Sequence, residues 1–309
     1  MSWADESVFM SAPVRSSLSE FTEAGIEVLR PCSFSFVGKI LTPVNDLLVP
    51  LVVETALTDL LGRPGVAGVL TTRSLADRVP APLGLAICDD PMRTHHEIHM
   101  ALSLKSGRLW QDFPSEIDPQ AQVHPGAWIA PRNVRVGPGA VVMTGAIINE
   151  RCFLGEGTRI HHQAVIGADA YEIVMVDGHQ QLRPQTGGVF IGRHCEILAG
   201  SIVTRSAFCG ATVIEDHVVM DCNVTVSHDC RIQPDVRIGG SSWLGGRVVV
   251  GKRATLGPNC TIGNGLSIGT RAKVSLGAVV TRDVPDDSHV SGNFAIRHDR
   301  MVDHLRQIR

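Results

Sequence analysis

Apolar positions in the second half of the chain recur every six residues. Stepping by six from Ile214 meets an apolar residue twelve times in succession, although only 44% of the chain is apolar. The position four residues after each of these is nearly always Val, Cys, Ser or Ala. The twelve large positions are Ile214, Met220, Val226, Ile232, Ile238, Leu244, Val250, Leu256, Ile262, Ile268, Val274 and Val280.

The same pattern occurs earlier in other frames, from Val136 to Ile166 and from Ile191 to Val203, after a ragged start at Ile117. A large aliphatic residue and a small one, with Gly, Pro, Asn or Asp between them, predict a short strand and a tight corner. Three hexads make one coil of 18 residues, and the strands of successive coils stack about 4.7 to 4.9 Å apart. The predicted fold is therefore a parallel β-helix of hexapeptide repeats.

Two breaks in the period predict excursions from the coil. Residues 171–181 do not follow the hexad pattern, and we interpret them as a protruding loop. A smaller irregularity separates Val203 from Ile214.

The two flanks lack hexads. Ser17 and Glu20 form a capping-box pattern, residues 66–71 and 83–88 are typical of buried strands, and a helix is expected from Asp90 to about residue 103. The sequence thus predicts a small α/β domain over 1–114, a β-helix over 115–285 and an extension over 286–309 with an amphipathic helix. We expect this helix to cap the coil or pack against another subunit, and docking of an acidic carrier protein is the alternative.

Composition narrows the class of protein. A formal charge of -3 argues against a nucleic-acid binder driven by positive charge. The absence of a long apolar run and of a signal-peptide pattern predicts a cytoplasmic protein without a membrane span. The eight cysteines include no Cys-x-x-Cys pair, so no metal site is expected. Four of them fall on the small inward position and are expected to fill the core: Cys152, Cys195, Cys230 and Cys260.

His228 is the candidate for chemistry because Gly246 lies one coil, 18 residues, further along. A glycine there leaves a backbone N–H unshielded by a Cβ atom beside the imidazole. That pair suits acyl transfer, with the imidazole accepting a proton from an amine and the N–H holding an oxyanion. Spacing alone leaves open that both are ordinary corner residues.

The whole chain, not only the coil, resembles the UDP-3-O-acylglucosamine N-acyltransferase family. The segments that carry the resemblance are residues 66–72, 86–92, 160–169 (IHHQAVIGAD), 183–192 (RPQTGGVFIG), 220–228 and 291–295 (SGNFA). The resemblance implies a left-handed coil, a homotrimer and no bound cofactor. It also implies that His228 is the general base, that Asp221 supports it and that Gly246 offers the oxyanion N–H.

The resemblance further implies a set of substrate-binding residues. In that family a Phe followed three residues later by Asn reads uracil, and here Phe36 is followed by Lys39. The position of the family's second histidine is Gly265, and its Gly-Phe after Gly-Ala-Asp is Ala170-Tyr171. The residues expected to contact substrate are Phe36, His162, Asp169, Tyr171 and Gln185.

The hypothesis is an N-acyltransferase that moves an acyl group from a thioester, on acyl carrier protein or coenzyme A, to the amine of a nucleotide-linked amino sugar. Three rivals remain: an acetyl-CoA-dependent amino-sugar N-acetyltransferase, a zinc hydratase and a non-catalytic scaffold. A zinc site needs three converging histidines, and His194, His217 and His228 offer no pair at short spacing.

Overall fold

The computed structural model describes residues 14–42, 44–105, 109–292, 295 and 297–307. Its largest part is a left-handed parallel β-helix with three flat sheets, and every strand pair within these sheets is parallel. The fold predicted from the six-residue period is confirmed. We call the sheets the first, second and third faces, in the order in which the chain reaches them.

Each face is built from strands of two to four residues, one per coil. The first face contains Glu116–Ile117, Val134–Val136, Cys152–Leu154, Gly188–Ile191, Ala211–Ile214, Arg231–Ile232, Val249–Val250 and Ser267–Ile268. The second face contains Gln122–Val123, Val141–Val142, Arg159–Ile160, Glu196–Ile197, Val219–Met220, Arg237–Ile238, Thr255–Leu256, Lys273–Val274 and His289–Val290. The third face contains Trp128–Ile129, Ile147–Ile148, Val165–Ala168, Ile202–Thr204, Thr225–Val226, Trp243–Leu244, Thr261–Ile262 and Val279–Val280.

The hexad positions explain the core of the coil. The large aliphatic residues and the small residues four positions later point inward and form one continuous apolar cluster. The four inward cysteines belong to this cluster, and burial raises the pKa of the Cys152, Cys195 and Cys230 thiols to about 12. These thiols are therefore protonated filler, as expected from their positions.

The N-terminal domain is a five-stranded sheet covered by short helices. In sheet order its strands are Glu27–Arg30, Gly84–Ile87, Val66–Thr71, Leu47–Leu51 and Phe36–Val37, of which only the first pair is antiparallel. Ser16–Ser17 pairs with Ser33–Phe34 in a separate antiparallel ladder. The helical segments are the 3-10 turns Leu18–Ala24, Glu54–Ala56 and Arg73–Arg78 and the α-helices α1 (Leu57–Leu61) and α2 (Pro91–Ser103).

Local sequence signals account for these helices. Ser17 and Glu20 form the predicted capping box, and Gly25 ends that segment with a φ of 73°. Helix α2 begins as predicted, since the Asp90 carboxylate accepts hydrogen bonds from the N–H groups of Met92 and Arg93.

The N-terminal domain packs on the first face of the coil. Phe153 and Phe190 point outward from that face and join a cluster with the domain's sheet residues. Phe208, from the irregular segment between Val203 and Ile214, makes edge contacts with His95 and His99 of helix α2. This contact fixes where the domain lies relative to the coil.

The excursion predicted as a loop is a β-hairpin. Its strand Ile173–Val176 pairs antiparallel with its strand His179–Leu182 across a two-residue turn at Asp177 and Gly178. Both turn residues have positive φ, 50° and 77°, as a tight hairpin turn requires. Tyr171 and Glu172 lie at the base of the hairpin, where the chain leaves the coil.

The coil ends in an extension. His289–Val290 adds a last strand to the second face, past residue 285 where the pattern placed the end of the coil. Helix α3 spans His298–Gln307. Helical spacing in the sequence predicts an apolar face of Met301, Val302, Leu305 and Ile308; of these, Ile308 and the side chains of Met301 and Leu305 lie outside the described residues. Within the described residues, none of the helices combines the length and apolar character that crossing a bilayer requires.

Candidate active site

His228 lies at the corner between the third and first faces. Val226 before it and Cys230 after it are inward residues, 0% and 1% exposed, so residues 227–229 must turn the corner outside the core. Asp229 makes that turn with a φ of 60°. The His228 side chain is 11% exposed and lines a cavity of about 190 Å³.

Asp229 fixes the tautomer of the His228 ring. Its Oδ2 accepts a hydrogen bond of 2.7 Å from Nδ1, which leaves Nε2 unprotonated in the neutral ring. The Asp229 carboxylate also accepts a hydrogen bond from the Ser206 hydroxyl. The backbone N–H of Asp229 donates to Thr212 Oγ1 at 2.9 Å. A buried carboxylate held in this way orients an imidazole for proton acceptance at Nε2.

Gly246 lies directly over the ring, as the 18-residue spacing predicted. A Cβ atom at this position would lie 2.4 Å from His228 Nε2, so only glycine leaves room for the imidazole. The Gly246 N–H donates to Asn264 Oδ1 at 3.0 Å. Asn264 lies 18 residues, one coil, after Gly246 and lines the same cavity. It was not among the residues predicted from the sequence.

The prediction that Asp221 supports His228 is wrong, because another aspartate contacts the imidazole. Asp221 lies at the corner between the second and third faces, and its carboxylate accepts hydrogen bonds from the backbone N–H groups of Cys222 and Gly240. The hydrogen bond to His228 comes from Asp229 instead.

Among the residues expected to contact substrate, Tyr171 lines the cavity with His228 and Gly246. It is 83% exposed, at the base of the hairpin. Thr204, Ser227 and Trp243 complete the wall together with Ala170 and Asn264.

The other four expected contacts have structural roles outside the lining of this cavity. Phe36 is 6% exposed in the cluster between the N-terminal sheet and the coil. Asp169 pairs with Arg205 at 3.2 Å, and His162 contacts the Thr144 carbonyl at another corner. Gln185 is buried, and its Nε2 donates to the Arg183 carbonyl at 2.8 Å.

A second cavity of about 200 Å³ lies between the N-terminal domain and the coil. Its lining combines two cationic residues, Lys39 and Arg247, with the apolar Ile40, Leu41, Pro50 and Met92. Arg247 follows Gly246, and its N–H donates to the His228 carbonyl at 2.8 Å, so the two cavities adjoin the same corner.

Lys39 and His228 are linked through Glu172. The Lys39 Nζ donates to both Glu172 oxygens at 2.8 and 2.7 Å, and Glu172 Oε1 lies 3.6 Å from His228 Nε2. Sequence reasoning missed Glu172 because the hairpin that carries it interrupts the hexad register.

Histidines elsewhere on the coil form other contacts. The rings of His194 and His217 stack with centroids 5.4 Å apart. Across the described part of the chain, no group of three His, Cys, Asp or Glu residues is arranged to hold a metal ion.

Comparison with known proteins places part of the chain beside named acyltransferases. The chain is 41% identical over 96 residues to the UDP-3-O-acylglucosamine N-acyltransferase of Xanthomonas oryzae pv. oryzae, which covers 31% of this chain and 28% of that protein. It is 46% identical over 82 residues to the same enzyme of Xanthomonas axonopodis pv. citri, covering 26% and 24%. The resemblance to this family is confirmed over these segments.

The match is partial, since the chain spans about a quarter of the length of the curated relatives it matches. No family model matches the chain. Among solved structures, the UDP-N-acetylglucosamine acyltransferase of Arabidopsis is similar with a TM-score of 0.49 and 22% identity, over 58% of this chain and 69% of that one.

Proposed function

We propose that this protein is an N-acyltransferase that moves an acyl group from a thioester to the amine of a nucleotide-linked amino sugar, with His228 as general base. The observation that carries the proposal is the His228 ring, which is held at Nδ1 by Asp229 and lines a cavity together with Gly246. The partial identity to UDP-3-O-acylglucosamine N-acyltransferases supports the same reaction class.

The reaction follows from the position of these groups. His228 Nε2 takes a proton from the acceptor's ammonium, and the freed nitrogen attacks the thioester carbonyl carbon to form the C–N bond. The carbonyl oxygen becomes an oxyanion. When the intermediate collapses, the C–S bond breaks, the imidazolium returns its proton to the leaving sulfur, and the nitrogen's remaining extra proton passes through His228 to solvent.

The Gly246 N–H is the proposed donor to the oxyanion. In the structure it donates to Asn264 Oδ1, so the oxyanion has to take the place of that amide oxygen.

The second cavity is the proposed site of the nucleotide. Arg247 supplies positive charge for phosphate groups, and the apolar side chains around it suit a base or ribose. Since both cavities meet at residues 246 and 247, a single nucleotide sugar can place its amine near His228 and its phosphates near Arg247. The donor is the thioester of acyl carrier protein or coenzyme A.

The third face supports a homotrimer. Its outward positions are apolar over several coils, and Trp128, Trp243 and Val279 remain 49%, 42% and 60% exposed in the single chain. Exposed apolar patches of this kind mark protein interfaces. Because Trp243 also lines the cavity of His228, a neighbouring copy seated on this face would adjoin the site.

The test is acyl transfer by the purified protein to UDP-glucosamine, with a panel of acetyl-CoA, longer acyl-CoA and acyl carrier protein thioesters as donors. Mass spectrometry detects the amide product, and the preferred donor separates a long-chain acyltransferase from an acetyltransferase. The His228→Ala variant is expected to lose about 100-fold or more in kcat/KM, the usual contribution of a general base.

His161→Ala is the matched control, because His161 also contacts a carboxylate on the coil, Glu196 Oε2 at 2.7 Å. We expect its kcat/KM to stay within about twofold of wild type. Near-wild-type turnover of His228→Ala would refute the mechanism.

A further inference from the structure

The mechanism above leaves one charged group beside the base unused. The Glu172 side chain is only 8% exposed, yet its Oε1 lies 3.6 Å from His228 Nε2, the atom that accepts the proton. Withdrawing a carboxylate from water costs free energy unless it is paired. Lys39, from a different domain, supplies the pairing with two hydrogen bonds of 2.8 and 2.7 Å.

The distance between Glu172 Oε1 and His228 Nε2 suits a third partner. Two acceptor atoms 3.6 Å apart can both lie within hydrogen-bond distance, about 2.9 Å, of one nitrogen placed between them. Each carboxylate oxygen has two acceptor positions, so Glu172 Oε1 can hold Lys39 and a further donor together. Ala170 and Tyr171, just before Glu172 in the chain, line the cavity from which that donor would come.

We infer that Glu172 binds the protonated amine of the acceptor and so selects an amine over a hydroxyl group at this position. The inference rests on the proposed function, because it assigns the residue that receives that reaction's acceptor. Lys39 is a positioning residue, whose two hydrogen bonds hold the Glu172 carboxylate beside Nε2.

Charge is the basis of the selection. An ammonium donates to an ionised carboxylate in a charge-assisted hydrogen bond, which is about twice as strong as a bond between neutral groups. A sugar hydroxyl at the same carbon gains only the weaker bond. The two carboxylates thus have different roles at one imidazole: Asp229 accepts the hydrogen bond from Nδ1, and Glu172 binds the amine beside Nε2.

The experiment measures binding, separately from turnover. Isothermal titration at pH 6.5 compares UDP-glucosamine with UDP-glucose, which differ only in the amine and the hydroxyl. At this pH the amine is largely protonated if it titrates like a peptide α-amino group, whose pKa is about 7.7 to 8.0. Wild-type protein is expected to bind UDP-glucosamine about tenfold or more tightly than UDP-glucose.

The decisive variant is Glu172→Gln. It is expected to bring the two dissociation constants within about twofold of each other by weakening UDP-glucosamine alone. Glu196→Gln is the matched control, because Glu196 also pairs with a histidine, His161, on the coil, and its ratio is expected to equal that of wild type. Should Glu172→Gln fold poorly with Lys39 unpaired, the double variant Lys39→Gln, Glu172→Gln removes both charges and is expected to show the same loss of preference.

The outcomes separate the two proposals. A ratio that stays at the wild-type value in the folded Glu172→Gln or double variant overturns the inference, as does a wild-type protein without preference for the amine. If wild-type protein binds neither nucleotide sugar, the proposed acceptor is wrong and the inference falls with it.

Discussion

Asp229 and Gly246 act on opposite sides of the His228 ring. Asp229 receives the Nδ1 proton and so keeps Nε2 free to accept another. Gly246 has no side chain, and this leaves space for the ring, because any Cβ atom there would overlap Nε2. The candidate base therefore depends on two residues that have no proton-transfer role of their own.

The Gly246→Ala variant tests this arrangement. The added methyl group would lie 2.4 Å from Nε2 and must turn the imidazole away, so we expect kcat/KM to fall about 100-fold or more. Gly292→Ala is the control, because its Cβ would meet only ordinary contacts of 3.5 Å or more and its activity should be unchanged. A Gly246→Ala protein with wild-type kcat/KM and an intact circular dichroism spectrum would contradict the assignment.

Sequence reasoning reached some of these residues and missed others for physical reasons. His228 and Gly246 could be paired because the 18-residue coil sets which residues stack. Asp229 adjoins His228 in sequence, but only the positive φ of the corner brings its carboxylate back to Nδ1. Glu172 and Lys39 could not be found from the period, because one lies on the hairpin and the other on a separate domain.

Helix α2 shows how an element outside the coil is held against it. His95 and His99 are buried where the helix meets Phe208, and their Nε2 atoms contact the carbonyls of Gly38 and Pro184. Burial is the main cause that lowers the pKa of both rings, to about 4 for His99. In the folded protein both are neutral at pH 7.

Acid should therefore destabilise this junction. The folded pKa of His99, about 4, lies below the unfolded value of about 6.5, so the unfolded state binds more protons between these pH values. Stability is fully present above pH 6.5 and falls as the pH drops towards 4, by about 3 kcal/mol from His99 alone.

Urea unfolding at a series of pH values measures this loss. His99→Gln removes the titrating group while its amide can still donate to the Pro184 carbonyl, so its unfolding free energy should fall less steeply between pH 6.5 and 4.5. A slope identical to that of wild type would show that His99 does not titrate as described.

The elements themselves were predictable to different degrees. The coil follows from its period, because each inward position must be apolar and each corner must turn. The hairpin was expected as a loop, because the six-residue period carries no information about a segment that leaves the coil, although its Asp177-Gly178 pair is a known hairpin signal.

At the scale of the whole molecule, two of the three faces differ in what they can bind. The first face is covered by the N-terminal domain through Phe153 and Phe190. The third face carries exposed apolar side chains in the single chain. The sequence period alone does not distinguish the faces, because it fixes only the inward residues, and the faces differ in their outward residues.

The proposed homotrimer, with the third face as its interface, can be tested in solution. Sedimentation should give three times the chain mass of 33.2 kDa. Trp128→Arg places a charge on this face and is expected to shift the protein towards monomer. Gln122→Arg makes the same change on the second face of the same coil, where the position is already exposed and polar, and should leave the mass unchanged. A wild-type monomer would contradict the proposal.

The most direct test of the central claim is a crystal structure with UDP-glucosamine bound. The account predicts the sugar's amine nitrogen within about 3 Å of His228 Nε2, in the cavity that Gly246 also lines. A nucleotide sugar whose amine lies far from Nε2, or whose binding site is remote from the corner at residues 227–229, would contradict it.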